Sequence, residues 1–335
     1  MTSKTSKTSN RVLNTVKTAA AALLAGATAL AMTACGDDAG SQASGDANSI
    51  TLSYSQVVAD ELPFWIADEA GMFKAQGLDV KLTNLSSSDG FPALISGQTQ
   101  LASIGAPEMV AGAASGAQVS YLATLTPVFT YELFAKVNNP QELKGKRIGI
   151  TSTSGSLYIA TVEALQQLGL QPSDVSLTPL GSVTNVNNAL VAGTIDAAMS
   201  HPPTTTQLEA AGYHSLLDLA AQKIPTSNVG VAGTDDYVKS HGDQIRRFMT
   251  AVQQGIKREK SDEAYATSVL SKHLNVNDPK ALHETWVYYT RVLPDVPTPT
   301  VEQLQTAVTE LAATNPAVKN LDLATLVDAS FVSSE

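Results

Sequence analysis

The chain alternates two hydrophobic periods. Residues 50–54 (Ile-Thr-Leu-Ser-Tyr) place apolar and polar side chains in turn, the period of a strand, and then break into a loop at Ser55-Gln56. Residues 63–73 read as a helix: Pro63 suits a first turn, Phe64, Ile66, Ala67 and Ala70 supply an apolar face, and Gly71 and Gly77 punctuate its end. Residues 78–82 predict a second strand, 91–95 a short helix and 101–104 a short buried strand. Residues 119–125 and 131–137 predict two more strands. Alternating β and α elements predict an α/β fold with a mostly parallel sheet.

After a polar link over 138–141 the pattern restarts. Residues 146–151 (Lys-Arg-Ile-Gly-Ile-Thr) predict a strand, and 156–168 a helix with Leu157, Ala160, Ala164, Leu165 and Leu168 on one face. A strand over 175–180, a helix over 187–192 and a strand over 195–199 follow. Past Asp235 the chain turns helical, with stripes at Ile245, Phe248, Val252, Ile256 and at Val301, Leu304, Val308, Leu311. Residues 93–102 align without gaps on 189–198, each as a helix end, a Gly stop and a strand. A unit that recurs at this distance predicts two similar lobes.

The first residues are of a different kind. Residues 1–17 are polar and basic, and 18–33 are small and apolar, the build of an export signal too short to span a bilayer. Residues 31–36 (Ala-Met-Thr-Ala-Cys-Gly) resemble a bacterial lipobox, with Met32 where Leu is usual. That resemblance implies cleavage after residue 34 and acylation of Cys35. Residues 35–49 are then the lipidated Cys and a Gly/Ser/Ala/Asp tether. Four of the 21 Lys+Arg lie in the first 34 residues, which hold no acid, so the remainder carries a formal charge of −14. Such a body is a poor partner for nucleic acid, because phosphate neutralisation needs a basic surface. Cys35 is the one cysteine in the chain, which excludes an internal disulfide framework and a Cys-based zinc site.

In open parallel sheets a ligand binds beyond the carboxyl ends of the strands. The loops there are Ser55-Gln56, Ser86-Ser87-Ser88-Asp89-Gly90, Ser152-Thr153-Ser154-Gly155-Ser156 and Ser200-His201-Pro202-Pro203. Hydroxyls and free N–H groups at a helix start make an anion cradle, and the second Ser-rich loop, 152–156, is the best candidate. The same Ser residues also suit plain helix capping. Asp89 and Glu108 oppose an anion, and none of these loops carries Lys or Arg. Phe64, Trp65 and Tyr158 can wall a pocket by stacking, or pack a core. Gly105, Ala106 and Asn185 complete the candidate ligand contacts. No H-E-x-x-H, G-x-S-x-G or Walker loop occurs, the five His show no metal spacing, and no cofactor or metal is expected.

Residues 62–80 (Leu-Pro-Phe-Trp-Ile-Ala-Asp-Glu-Ala-Gly-Met-Phe-Lys-Ala-Gln-Gly-Leu-Asp-Val) resemble the opening of periplasmic binding proteins of the taurine/sulfonate/nitrate type, which share a domain with thiamine-pyrimidine precursor proteins. Residues 104–108, 142–150 and 192–198 match in family order. The resemblance implies a type II periplasmic binding protein fold: two α/β lobes, 50–133 plus 238–335 and 134–237, joined by two crossover strands around a central ligand cleft. It implies an extracytoplasmic solute-binding lipoprotein of an ABC importer, monomeric, held to the membrane by its lipid and partnered by a permease and its ATPase. A sulfonate, taurine or nitrate is the first expectation for the solute, and a pyrimidine or other nitrogen heterocycle the alternative. Enzymes of the same fold, a desulfinase or a pyrimidine synthase, and a surface sensor or adhesion lipoprotein are further alternatives. Gln100 departs from the acid usual before the repeat strand, and Asp196 keeps it.

Overall fold

A computed structural model describes residues 48–85, 87–153 and 155–332, without the side chains of Ser87 and Ser88. The expected signal segment, Cys35 and most of the tether lie outside the described residues, as does Ser154. Among the described residues ten strands form: β1 (Ser49–Tyr54), β2 (Asp79–Asn84), β3 (Leu101–Ile104), β4 (Val119–Thr126), β5 (Glu132–Ala135), β6 (Arg147–Ile150), β7 (Ser176–Pro179), β8 (Ala197–Ser200), β9 (His214–Asp218) and β10 (Val229–Thr234). They build two five-stranded sheets, in the orders β2-β1-β3-β10-β4 and β7-β6-β8-β5-β9.

The two sheets have the same plan. In each, a central strand (β1 or β6) pairs parallel with both its neighbours. In each, the fourth strand (β10 or β5) runs antiparallel to both of its own. The sheets are therefore mixed, not mostly parallel. The reason is topological: the fourth strand is the one that arrives from the other lobe. The chain leaves β4 and enters the second sheet as β5, then leaves β9 and returns to the first sheet as β10. Thus Val229–Thr234, one of the two strands that cross between the lobes, pairs in the first sheet.

The pattern of the repeat becomes geometry. The helices Ser87–Ile95 and Val183–Val191 end at Gly97 and Gly193, both left-handed (φ 75 and 70), and the chain then enters β3 and β8. The helix expected over 63–73 is two, Leu62–Glu69 and Met72–Ala75, separated at Gly71, whose φ of 68 breaks the helical ladder. The helix Val183–Val191 starts earlier than expected because Ser182 caps it, its Oγ accepting the Asn185 N–H at 3.2 Å. The late helices bury their stripes: Ile245, Phe248, Val252 and Ile256 pack under the first sheet with Ile50, Leu52 and Val231. Each such side chain contributes about 1.5–3 kcal/mol of burial.

Candidate functional site

A cleft of about 460 Å³ opens between the lobes. Its walls are the carboxyl ends of parallel strands, as strand polarity dictates. From the first lobe come Ser53, Tyr54, Ser55 and Gln56 at the end of β1, and Ser103, Ile104 and Gly105 at the end of β3. From the second come Thr151, Ser152, Gly155 and Ser156 after β6, with Gly181 and Val183 after β7. Tyr131 and Asn228, on the two segments that join the sheets, form its back.

Of the candidate contacts, Ser55, Gln56, Gly105, Ser152, Gly155 and Ser156 line this cleft. Gly105 is required by close approach: a methyl there would stand 2.5 Å from Ser156 Oγ and 3.0 Å from the Asn228 carbonyl. Gly155 opens the helix Ser156–Gln167 with φ 88. Ala106 is buried, the first residue of the helix Ala106–Ala114, which the sequence reading missed. Ser87, Ser88 and Asp89 form the first turn of the helix Ser87–Ile95, with Asp89 exposed. Asn185 is exposed and donates to the Leu180 carbonyl at 2.8 Å, a turn contact. Tyr158 is half-buried against the core.

Phe64 and Trp65 are not cleft walls. Both are 1% exposed. Phe64 stacks on Phe248, and Trp65 lies on His273 with ring centroids 4.3 Å apart. The helix Leu62–Glu69 presses on the helix Gly242–Ser261 so closely that a methyl on Gly255 would meet the Pro63 carbonyl. Its aromatic face is thereby turned into the lobe. Ser200 and His201 also lie outside the cleft lining: Ser200 is shielded and donates to Asn187 Oδ1 at 3.2 Å, and buried His201 sits between the rings of Tyr131 and Tyr289.

The sequence reading passed over a buried polar cluster beneath the cleft. Asp60 Oδ1 accepts from Thr130 Oγ1 (2.8 Å) and Asn228 Nδ2 (3.0 Å), and Asp60 Oδ2 from the Tyr289 hydroxyl (2.7 Å). Thr130 and Asn228 belong to the two joining segments, so one carboxylate ties both to the first lobe. A carboxylate only accepts, which fixes the amide of Asn228 with Nδ2 toward Asp60. Its Oδ1 is left shielded, without a hydrogen-bond partner, on a residue that lines the cleft.

Two acids reach the cleft. Glu61 is 3% exposed, and Ser103 Oγ lies 2.9 Å from both of its oxygens. Burial pushes its carboxyl up to about 8, with the Ser103 hydrogen bond opposing and Asp60 adding to the rise. Glu108, in the first turn of Ala106–Ala114, faces the start of Ser156–Gln167 across the cleft. Burial raises its carboxyl, and the N–H groups of Glu108, Gly105 and Ser156 pull it down. Its Oε2 is shielded and has no hydrogen-bond partner. None of the described lining residues is Lys or Arg, and among the described residues no group of three His, Cys, Asp or Glu is placed to hold a metal. Local signals for Glu61 and Asn228 are faint: each ends a short polar stretch before an apolar run, and only the tertiary fold brings them together.

The family described as NMT1/THI5 like matches residues 59–262. A riboflavin-binding protein, RibY of Chloroflexus aurantiacus, is 25% identical over 232 residues, 66% of this chain and 65% of that protein. The 4-amino-5-hydroxymethyl-2-methylpyrimidine phosphate synthase THI13 of Saccharomyces cerevisiae is 26% identical over 218 residues, 58% of this chain and 61% of that one. The chain thus spans less than two thirds of the length of either relative. Among solved structures, the periplasmic aliphatic sulphonate binding protein SsuA of Escherichia coli superposes with a TM-score of 0.69 at 18% identity, over 84% of this chain and 92% of that one. The likeness shows the fold, that of the periplasmic binding proteins.

Proposed function

The chain belongs to the NMT1/THI5-like family, and from that premise we propose that it is the extracytoplasmic solute-binding lipoprotein of an ABC importer, anchored through Cys35, whose cleft takes a nitrogen heterocycle bearing N–H donors. The observation that carries the choice of ligand is the chemistry of the cleft. Its lining offers two shielded acceptors without partners, Glu108 Oε2 and Asn228 Oδ1, and no Lys or Arg among the described residues. A donor-bearing ring satisfies both acceptors, whereas an unpaired buried acceptor costs about 1–3 kcal/mol. A sulfonate or nitrate brings more acceptors to a site already rich in them. Tyr54 and Tyr131 line the same space, and aromatic rings suit contact with a flat heterocycle.

The mechanism follows from the layout. Solute enters between the lobes, meets the ends of β1, β3 and β6, and the lobes turn about the two joining segments to enclose it. A permease then reads the closed form and accepts the solute. Relatives of both kinds bear on this reading, since RibY is named for a flavin and THI13 for a pyrimidine phosphate. We read this chain as a receptor and not an enzyme, because the cleft lining is an array of hydroxyls, glycines, apolar side chains, two amides and two acids, with His201 held outside it.

The test is a thermal-shift panel on the full chain with riboflavin, hydroxymethylpyrimidines, purines, taurine, alkanesulfonates and nitrate. A solute present at a hundred times its dissociation constant stabilises the fold by about 2.7 kcal/mol, a plain rise in midpoint. A rise with a heterocycle and none with the anions is the expected result. A rise with taurine or nitrate alone would return the ligand to the sulfonate class.

A further inference from the structure

The start of a helix attracts anions through its free N–H groups and its dipole. Two helix starts meet across this cleft, those of Ala106–Ala114 and Ser156–Gln167. An acid of the chain already stands between them. A methyl built on Gly105 would lie 2.9 Å from Glu108 Oε2, and one on Gly155 would lie 3.0 Å from Glu108 Oε1. The carboxylate therefore spans from the first lobe's glycine to the second lobe's glycine. The N–H groups of Gly105, Ser156 and its own residue favour its ionised form, against the burial that raises its carboxyl. These are the donors that an oxyanion would use.

We propose that Glu108 is the specificity residue of the cleft, an internal anion that fills the double helix-start cradle and bars sulfonate, sulfate and similar oxyanions. A second, independent observation points to the same ligand chemistry: Asn228 is 7% exposed, its Oδ1 has no partner, and it lines the cleft beside Gly105. Its backbone carbonyl is also among the atoms that a methyl on Gly105 would meet, at 3.0 Å, with Ser156 Oγ and Glu108 Oε2. Glu108 and Asn228 together present acceptors, so the residues that exclude an anion are those that receive a donor. This inference rests on the reading of the cleft as a solute site and adds the residue that sets its selectivity.

The inference makes a gain-of-function prediction. Removing the carboxylate leaves the N–H groups and both dipoles in place with nothing to hold. Glu108→Ala then vacates space for a tetrahedral oxyanion, and Glu108→Gln removes the charge while keeping the side chain's size. The probes are sodium methanesulfonate and inorganic sulfate, titrated calorimetrically into the full chain, into both variants, and into Glu302→Ala. Glu302 lies on the exposed first turn of Val301–Leu311 and so controls for net charge. The expected result is no methanesulfonate or sulfate binding by the native chain, and at least about a tenfold gain in affinity for Glu108→Ala. Glu108→Gln should gain less, and Glu302→Ala nothing. Tight oxyanion binding by the native chain would overturn the proposal, as would folded Glu108 variants with no gain, or an equal gain in Glu302→Ala. Silence of the heterocycle panel on the native chain would count against the ligand class alone, because the new oxyanion site needs no native ligand to be seen.

Discussion

Gln100 and Asp196 do the same work in the two sheets. The Gln100 side chain accepts the Thr51 N–H at 2.9 Å, while its own N–H donates to the Thr51 carbonyl at 3.0 Å. The Asp196 side chain accepts the Arg147 N–H at 2.9 Å, and its N–H donates to the Arg147 carbonyl at 2.8 Å. Each locks the start of a repeat strand to the start of the central strand. The position calls for an acceptor, which is why an amide can stand where an acid is usual. Asp196 also pairs with the Arg147 side chain at 3.3 Å, in the open. Burial opposes its ionised form, but the Arg147 N–H and guanidinium outweigh that and hold the carboxyl below its ordinary range.

Replacing Gln100 or Asp196 by Ala should therefore cost stability without touching the cleft. Each loses one backbone hydrogen bond, about 0.5–1.5 kcal/mol, with Asp196→Ala at the upper end because its bond is to a charged group. The two sites share no partner, so the double variant should show the sum within about 0.5 kcal/mol. Urea titrations of the three variants check both statements.

The strands were legible because each is a short alternating or apolar run bounded by Gly, Pro or Ser. The repeat was legible because residues 93–102 and 189–198 keep one order of helix, glycine and strand. The mixed direction of the sheets was not, since no local pattern records that Val229–Thr234 returns from the other lobe to lie between β3 and β4. The helix Ala106–Ala114 escaped because Gly105, Pro107 and Gly112 read as loop. Pro107 in fact sits in its first turn, and Gly112 makes room for the ring of Phe91. At the site, backbone-limited positions such as Gly105 and Gly155 were visible as loop residues. Phe64 and Trp65 were misplaced because their partners Phe248 and His273 lie about 180–210 residues away, beyond any window of pattern.

Tyr289→Phe tests the tie between the joining segments. It removes the donor 2.7 Å from Asp60 Oδ2 and leaves one oxygen of a buried carboxylate short of a partner. A loss of about 1–3 kcal/mol is expected, larger than for an exposed hydroxyl. Since Asp60 also holds Thr130 and Asn228, amide exchange in residues 127–131 and 219–228 should speed up more than in β1 or β6. Unchanged exchange there would separate Asp60 from the joining segments.

Gly105→Ala tests whether lobe contact is needed for binding. The φ of −84 suits any residue, so the variant carries no backbone strain and acts through space alone. The new methyl meets Ser156 Oγ, Glu108 Oε2 and the Asn228 backbone carbonyl. The expected outcome is a more open particle by small-angle scattering and at least about a tenfold loss of affinity for the panel's best solute, from misplacement at the contact. Adding Ser156→Ala removes the closest of the three contacts and should restore part of the affinity.

Glu61 gives the fold a pH dependence whose sign is opposite to that of an ion-paired acid. Its carboxyl is raised to about 8 in the folded chain, from 4.5. Below 4.5 both folded and unfolded chains hold the proton, and Glu61 costs nothing. Between 4.5 and 8 the unfolded chain ionises while the folded chain stays protonated, so stability falls as pH rises, by about 1.4 kcal/mol per pH unit. Above 8 both states are ionised, and the loss levels off at a few kcal/mol. Burial also raises Glu108, Glu132 and Glu310, whose contributions have the same sign. Glu61→Gln stays neutral in both states and can still accept from Ser103. Unfolding midpoints in urea from pH 5 to 9 should therefore fall less steeply in the variant, and the two curves should separate most above pH 8. Parallel curves would mean that Glu61 is ionised in the folded chain throughout, with Ser103 and the cleft holding a charge in place of a neutral acid.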